Sequence, residues 1–299
     1  MNVSSAPAWT LGDTSVTRVI EAEDPLLSPY EIFPDCTPAH IAENAAWLIP
    51  AYYAPGSELL VISIQSFVIR KGGLTVLVDT CTGEGKNRAR ARFHQRSWPW
   101  LERLRAAGVE PAAVDVVMCT HLHVDHVGWN TRLENGTWVP TFPNARYLIA
   151  RTEWEYWRDE SRRAGLQRTG DYVADSVLPV FDAGQAELID TDYGIAGTLW
   201  LEATPGHTPG HFAVHVGEGG HELILSGDLM HNPLQLRYPQ WSTRFCADPD
   251  LARQTRAAFL AAHAGTRKIV MPAHFPNPAG IFIERDGDHY AMVNAPNTG

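Results

Sequence analysis

The chain has 299 residues, of which 44% are hydrophobic and 19% charged, a globular composition that excludes disordered, collagen-like and coiled-coil architectures. Its 24 basic and 34 acidic residues give a formal net charge of -10, the opposite of what a protein needs to neutralise a phosphate backbone, so nucleic acid is excluded as a partner. No stretch approaches the roughly 20 apolar residues of a membrane span, and the start lacks the basic and then apolar pattern of a secretory signal, so a cytoplasmic protein without membrane contact is expected. Cys36, Cys81, Cys119 and Cys246 form no CxxC pair, which predicts free thiols.

In chain order, residues 1–58 read as an irregular arm or lid, broken by prolines such as Pro25, Pro38 and Pro50, with one strand at 14–21. Its apolar residues, Trp47, Leu48, Ile49, Tyr52 and Tyr53, need a surface to pack on, and either coverage of the active site or a homodimer contact would supply one. Residues 59–299 read as one domain. LLVISIQSFVIR and LTVLVDT, separated by Lys71-Gly72-Gly73, predict a β-hairpin. Apolar residues at Trp98, Leu101, Leu104 and Ala107 predict a helix ending at Gly108. Strands are expected at 114–119, 146–150, 186–190, 198–203, 211–216, 222–227 and 267–272, with turns at Pro205-Gly206, Pro209-Gly210 and Gly219-Gly220. An aromatic helix is expected around TEWEYWRDESRRAG. Residues 248–264 give an amphipathic helix capped by Asp248, and a last hairpin turns at Asp286-Gly287.

The central feature is Thr120-His121-Leu122-His123-Val124-Asp125-His126-Val127-Gly128, directly after a buried strand. From the frequencies of His and Asp here, HxHxDH arises by chance on the order of once in a thousand such sequences. Residues i and i+2 of an extended strand end point the same way, so His121 and His123 can grip one ion while Asp125 and His126 face a second. Imidazole and carboxylate donors without thiolate suit zinc, with cobalt, manganese or iron as other occupants. One turn cannot complete two coordination spheres. His207 in TPGHTPGH, Asp228 at the end of ELILSGD and His274 at the end of KIVMPAH each follow an apolar run, so they can meet the cluster at a sheet edge. His211 reads as a supporting residue, whereas His215 and His263 read as surface or core.

These landmarks, from Asp79 in LVDT through THLHVDHVG, TPGHTPGH and SGD to PAH, resemble the metallo-β-lactamase superfamily in order and kind over residues 59–293. The resemblance implies an α+β fold, a four-layer αββα sandwich, with two divalent metal ions. It implies that His121, His123 and His207 hold the first ion, that Asp125, His126 and His274 hold the second, and that Asp228 bridges. Asp79 would orient a ligand histidine. Cys81 departs from the glycine that many members carry there. Two ions sharing a water lower its pKa from about 16 towards 7, which implies hydrolysis by a bridging hydroxide, with Asp125, Asp228 and His231 as the catalytic group.

Trp129, Leu234, Leu236, Tyr238 and Phe275 are the candidate pocket residues, and an apolar pocket suits a small neutral ester, lactone or phosphotriester. The ending GDLMH and AHFPNPAGIFIERDGDHY is most similar to methyl-parathion-hydrolase-like and lactonase-like members. Acyl-homoserine lactonases commonly carry a tyrosine where this chain has His231, which points towards esters with good leaving groups. The alternative reading is an N-acyl-homoserine lactonase, followed by a thioesterase or a β-lactamase-like hydrolase.

Overall fold

The computed structural model describes residues 8–159, 169–218 and 221–296. The described residues form two compact units, one made of 8–22, 64–159 and 169–190, the other of 23–63, 191–218 and 221–296.

The strands of the first sheet are β1 (Ala8–Leu11), β2 (Thr14–Leu27), β3 (Tyr53–Ala54), β4 (Leu59–Lys71), β5 (Leu74–Val78) and β6 (Val116–Cys119). A separate hairpin, β7 (Thr131–Glu134) and β8 (Thr137–Pro140), precedes β9 (Arg146–Ala150) and β10 (Ala186–Ile189). Sheet order is β1-β2-β4-β5-β6-β9-β10, with β3 paired to β4. β5, β6, β9 and β10 run parallel. Parallel strands need crossover connections, and the one between β5 and β6 carries the helix Trp100–Ala106, which buries Trp100 and Leu104 and stops before Gly108 at φ 77°. Because β5 and β6 are parallel neighbours, Asp79 and the histidine turn emerge at the same sheet edge.

The second unit holds a seven-stranded sheet in the order β11 (Gly194–Ile195), β12 (Leu199–Ala203), β13 (Phe212–Glu218), β14 (His221–Leu225), β15 (Ile269–Met271), β16 (Ile281–Asp286) and β17 (His289–Asn294). It is antiparallel except between β14 and β15. That pattern points β12, β14 and β15 the same way, so the residues that follow them collect at one edge. The helix Pro249–His263 is capped by Asp248, which accepts hydrogen bonds from Asp250 N and Leu251 N, and packs Phe259 and Leu260 against Ala213, Ile224, Val270 and Ile283.

The first 58 residues are more ordered in secondary structure than their prolines suggest. β2 runs for 14 residues, and Pro38–Leu48 is a helix opened by a Thr37–His40 capping box, with proline in the first turn where no amide donor is needed. Residues 23–58 belong to the second unit, where Ile32, Phe33, Ile41, Leu48, Tyr52 and Tyr53 form a core with Leu234, Tyr238 and Trp241. Two short helices, Tyr172–Ser176 and Leu178–Asp182, and the β7–β8 hairpin lie outside the sequence expectations. The aromatic helix covers Arg151–Trp157, while the expected turn at Gly219-Gly220 and residues 160–168 lie outside the described residues. All four cysteines are free, and Cys36, Cys81 and Cys119 are buried.

Candidate metal centre

In the first unit the histidine turn is fastened to the loop after β5 by backbone and side chain together. Thr80 N donates to His126 O at 2.7 Å, Gly128 N to Cys81 O at 2.7 Å and Trp129 N to Thr80 O at 2.8 Å. This approach requires glycine at 128, because a Cβ there would lie 1.9 Å from the Thr82 carbonyl carbon. Asp79, in the left-handed region at φ 58°, accepts from Thr120 N and Thr120 Oγ1 at 2.8 Å, and its Oδ2 lies 2.8 Å from His126 Nδ1. A carboxylate accepting from Nδ1 leaves the Nε2 lone pair of His126 to a ligand. The histidine that Asp79 contacts is therefore His126.

His121, His123 and His126 stand as a group, with ring centroids 4.7 Å apart for the first pair and 4.1 Å for His121 and His126. Asp125 Oδ1 lies 3.9 Å from His126 Nε2 with its side chain 20% exposed, whereas His126 is 1% exposed. No lysine or arginine interrupts Thr120–Gly128, and its imidazoles and carboxylate are donors suited to a divalent cation.

A residue the sequence did not single out supports this turn. Glu153, 1% exposed, accepts from Leu122 N at 2.9 Å and from Trp157 Nε1 at 2.7 Å, and Trp157 lies edge-on to His123 with centroids 5.6 Å apart. The HxH backbone is thereby tied to the aromatic helix. A second such carboxylate, Glu21, accepts from Thr82 N, Gly83 N and Trp129 Nε1, and burial, only partly offset by these bonds, lifts its pKa to about 7. Cys81 is buried beside Ser66, 3.1 Å from its hydroxyl, and burial pushes its thiol well above the ordinary range.

In the second unit, Asp228 is surrounded by imidazoles. Its Oδ2 lies 3.2 Å from His207 Nε2 and 3.1 Å from His231 Nε2, and its Oδ1 lies 3.1 Å from His274 Nε2. His274 Nδ1 is 2.8 Å from Ser63 O, a pairing that puts the proton on Nδ1 and frees Nε2 for coordination. His211 sits behind Asp228. Asp228 N donates to its Nε2 at 2.9 Å, while its Nδ1 sits 2.7 Å from Thr204 Oγ1 and 3.1 Å from Thr204 O. The turn bearing His207 needs Gly206, since a Cβ at its φ of 123° would lie 2.3 Å from Ala252 N at the start of the long helix. Burial lowers the His231 pKa to about 4 against the pull of Asp228, so it is a neutral imidazole. For His207, burial acts in the same direction but Asp228 and Cys246 outweigh it and raise the group, so loading a cation there releases a proton.

The candidate pocket residues are all buried, and Leu236 also lines a cavity with Asn44, Trp47, Pro233 and Met292. Trp129 is 2% exposed and stacks on Trp100 at 5.6 Å. Leu234 and Tyr238 lie in the core shared with residues 23–58, and Leu236 and Phe275 in the core under the long helix. Tyr238 hydrogen-bonds Asn44 and stacks on Trp241.

The sequence pattern of the metallo-beta-lactamase superfamily matches residues 60–274. Metallo-beta-lactamase domain-containing protein 1 of Xenopus laevis is 30% identical over 217 residues, 71% of this chain and 70% of that protein. The N-acyl homoserine lactonase AttM of Agrobacterium fabrum is 35% identical over 127 residues, which span 38% of this chain and 43% of the lactonase. Among solved structures, the hydrolase AbOPH aligns with a TM-score of 0.82 at 24% identity over 99% of both chains. AidC, a dizinc quorum-quenching lactonase in complex with a product, aligns with a TM-score of 0.78 at 20% identity over 100% of both. The chain belongs to the metallo-β-lactamase superfamily and has its α+β fold. Within that family it is a metal-dependent hydrolase of the dinuclear kind. No helix among the described residues is long and apolar enough to cross a membrane.

Proposed function

We propose that His121, His123 and His207 hold one divalent ion, that Asp125, His126 and His274 hold a second, and that Asp228 is shared, for hydrolysis of neutral hydrophobic esters, lactones and phosphotriesters in a cytoplasmic setting. Zinc is the proposed metal, supported by the nitrogen and carboxylate donors and by the dizinc description of AidC. When bound, the ions supply Lewis-acid activation of water and of the scissile group's oxygen.

The chain's own residues do the rest. Asp125, the most exposed carboxylate of the set, takes the proton released as the nucleophile forms. His211 fixes Asp228 through its backbone amide, and Glu153 and Asp79 fix the histidine turn. Residues 23–58 act as a brace on the 231–245 segment. Tyr52 O accepts from Asn232 Nδ2 at 3.5 Å, beside His231.

The observation that carries the substrate reading is the buried His231, whose Nε2 lies 3.1 Å from Asp228. An imidazole held against the aspartate offers a lactone carbonyl less help than the tyrosine of lactonases resembling this chain, and good leaving groups need such help least. Aryl esters and aryl phosphotriesters are therefore the favoured substrates. Lactonase activity, supported by the names of AttM and AidC, is the second reading. The test compares kcat/KM for an aryl phosphotriester, an aryl ester and a long-chain acyl-homoserine lactone on one metal-quantified preparation. A lactone preference above about a hundredfold, roughly 2.7 kcal/mol, overturns the ordering.

A further inference from the structure

The second unit gathers another set of ligand-type side chains, made of residues other than His207, Asp228, His231 and His274. Trp200 and Glu202 on β12, His215 on β13 and Glu222 on β14 share one face of the sheet, because His215 pairs with Trp200 and with Ile224 in register. Ile224 on that face packs against Phe259 and Leu260 of the helix Pro249–His263, whose last residue, His263, comes down beside Glu202.

His215 stands between two carboxylates, with Nδ1 2.6 Å from Glu222 Oε1 and Nε2 2.7 Å from Glu202 Oε2. Lys268 Nζ, 2.8 Å from the other oxygen of Glu222, keeps Glu222 ionised, so His215 Nδ1–H donates to it. Its Nε2 then faces a carboxylate oxygen at contact distance, so either a ring proton or a bound cation lies between them. His263 Nε2 is turned to the same Glu202 oxygen at 3.5 Å. A single metal ion would engage both imidazoles and the carboxylate together.

We propose that Glu202, His215 Nε2 and His263 Nε2 form an additional site for a single divalent transition-metal ion of zinc type. The three ligand atoms lie within 4.8 Å of one another. Zinc bonds of about 2.0–2.2 Å put tetrahedral ligands roughly 3.3 Å apart, so the 3.5 Å pair already fits and the 2.7 Å pair opens by about half an ångström. Two histidines and one glutamate are a known zinc donor set, and a carboxylate behind the ligand imidazole, here Glu222, is the usual orienting partner. The Glu202 side chain is 36% exposed, which leaves a fourth position for water. Trp200, stacked on His215 with centroids 5.1 Å apart, holds the ring in plane, and Gly217 makes room for the indole. The ion would pin β12 and β13 to the end of the long helix.

The test is equilibrium dialysis of the metal-stripped full chain against zinc alone, buffered at about 1 µM free ion, with zinc per chain measured in wild type, Glu202→Gln and the His215→Gln/His263→Gln pair. The wild type should carry one ion more per chain than either variant, and the dissociation constant of that ion should rise at least tenfold in Glu202→Gln. Because the comparison is a difference, it holds whatever number of ions His121, His207 and their partners bind. Circular dichroism reports whether each variant folds; if the histidine pair does not, Glu202→Gln alone decides. Equal zinc content in wild type and every folded variant overturns the site and leaves His215 as an imidazolium between two carboxylates.

Discussion

Replacing Glu153 tests whether the histidine turn is held from outside the ligand set. In Glu153→Ala, Leu122 N and Trp157 Nε1 lose the acceptor they share at 2.9 and 2.7 Å. Each buried donor left unsatisfied costs about 1–3 kcal/mol, so the pair predicts a loss of roughly 2–6 kcal/mol, moderated where water enters. Glu153→Gln retains a carbonyl oxygen able to accept from both donors and should lie within about 1 kcal/mol of wild type. The effect should reach metal retention, because Leu122 lies between His121 and His123, and groups that orient metal ligands typically contribute about 10–100-fold in affinity. The assay is urea unfolding of metal-loaded protein followed by tryptophan fluorescence, combined with the rate of zinc transfer to a chelator. An alanine variant within about 0.5 kcal/mol of wild type, with an unchanged transfer rate, would refute the role assigned to Glu153.

Asp228→Ala should lose metal and hydrolysis together, since one carboxylate serves His207, His231 and His274; full metal content in an inactive variant would contradict its sharing. Lys86 is buried, donates to Thr131 Oγ1 and Asp175 O, and burial lowers its pKa from 10.5 to about 7 despite Asp175. Between those values the unfolded chain binds the extra proton, so the stability of wild type relative to Lys86→Met should rise as pH goes from about 7 to 10.5; a flat difference in paired urea titrations would oppose this. Asp248→Ala removes the cap of Pro249–His263 and should cost about 1 kcal/mol in the same assay, with Asp248→Asn near wild type.

Much of this protein was legible in its sequence because its elements announce themselves locally. The hairpin around Lys71-Gly72-Gly73, the strand Arg146–Ala150 and the Asp248-capped helix are set by β-branched runs, turn residues and capping chemistry, which act within a few residues. The β7–β8 hairpin was equally readable, since Asn135-Gly136 takes positive φ at both positions. Residues 23–58 are harder to read, because a proline such as Pro38 breaks a helix interior but can also begin a helix. The metal-ligand candidates were visible because coordination demands particular atoms, and few residue types supply them.

Contact partners distant in the chain were decided by tertiary structure alone. Nothing near Glu153 or Glu21 marks either as an acceptor for the histidine turn and its neighbouring loop, and nothing near His215 or His263 announces Glu202. The pocket was the least legible part of the site, because an apolar side chain such as Leu236 or Phe275 has the same sequence signature whether it lines a cavity or fills a core. Chain order fixes which side chains follow a strand, but only the pairing of strands and the packing of helices on them bring residues 31, 47 or 61 positions apart to within one hydrogen bond.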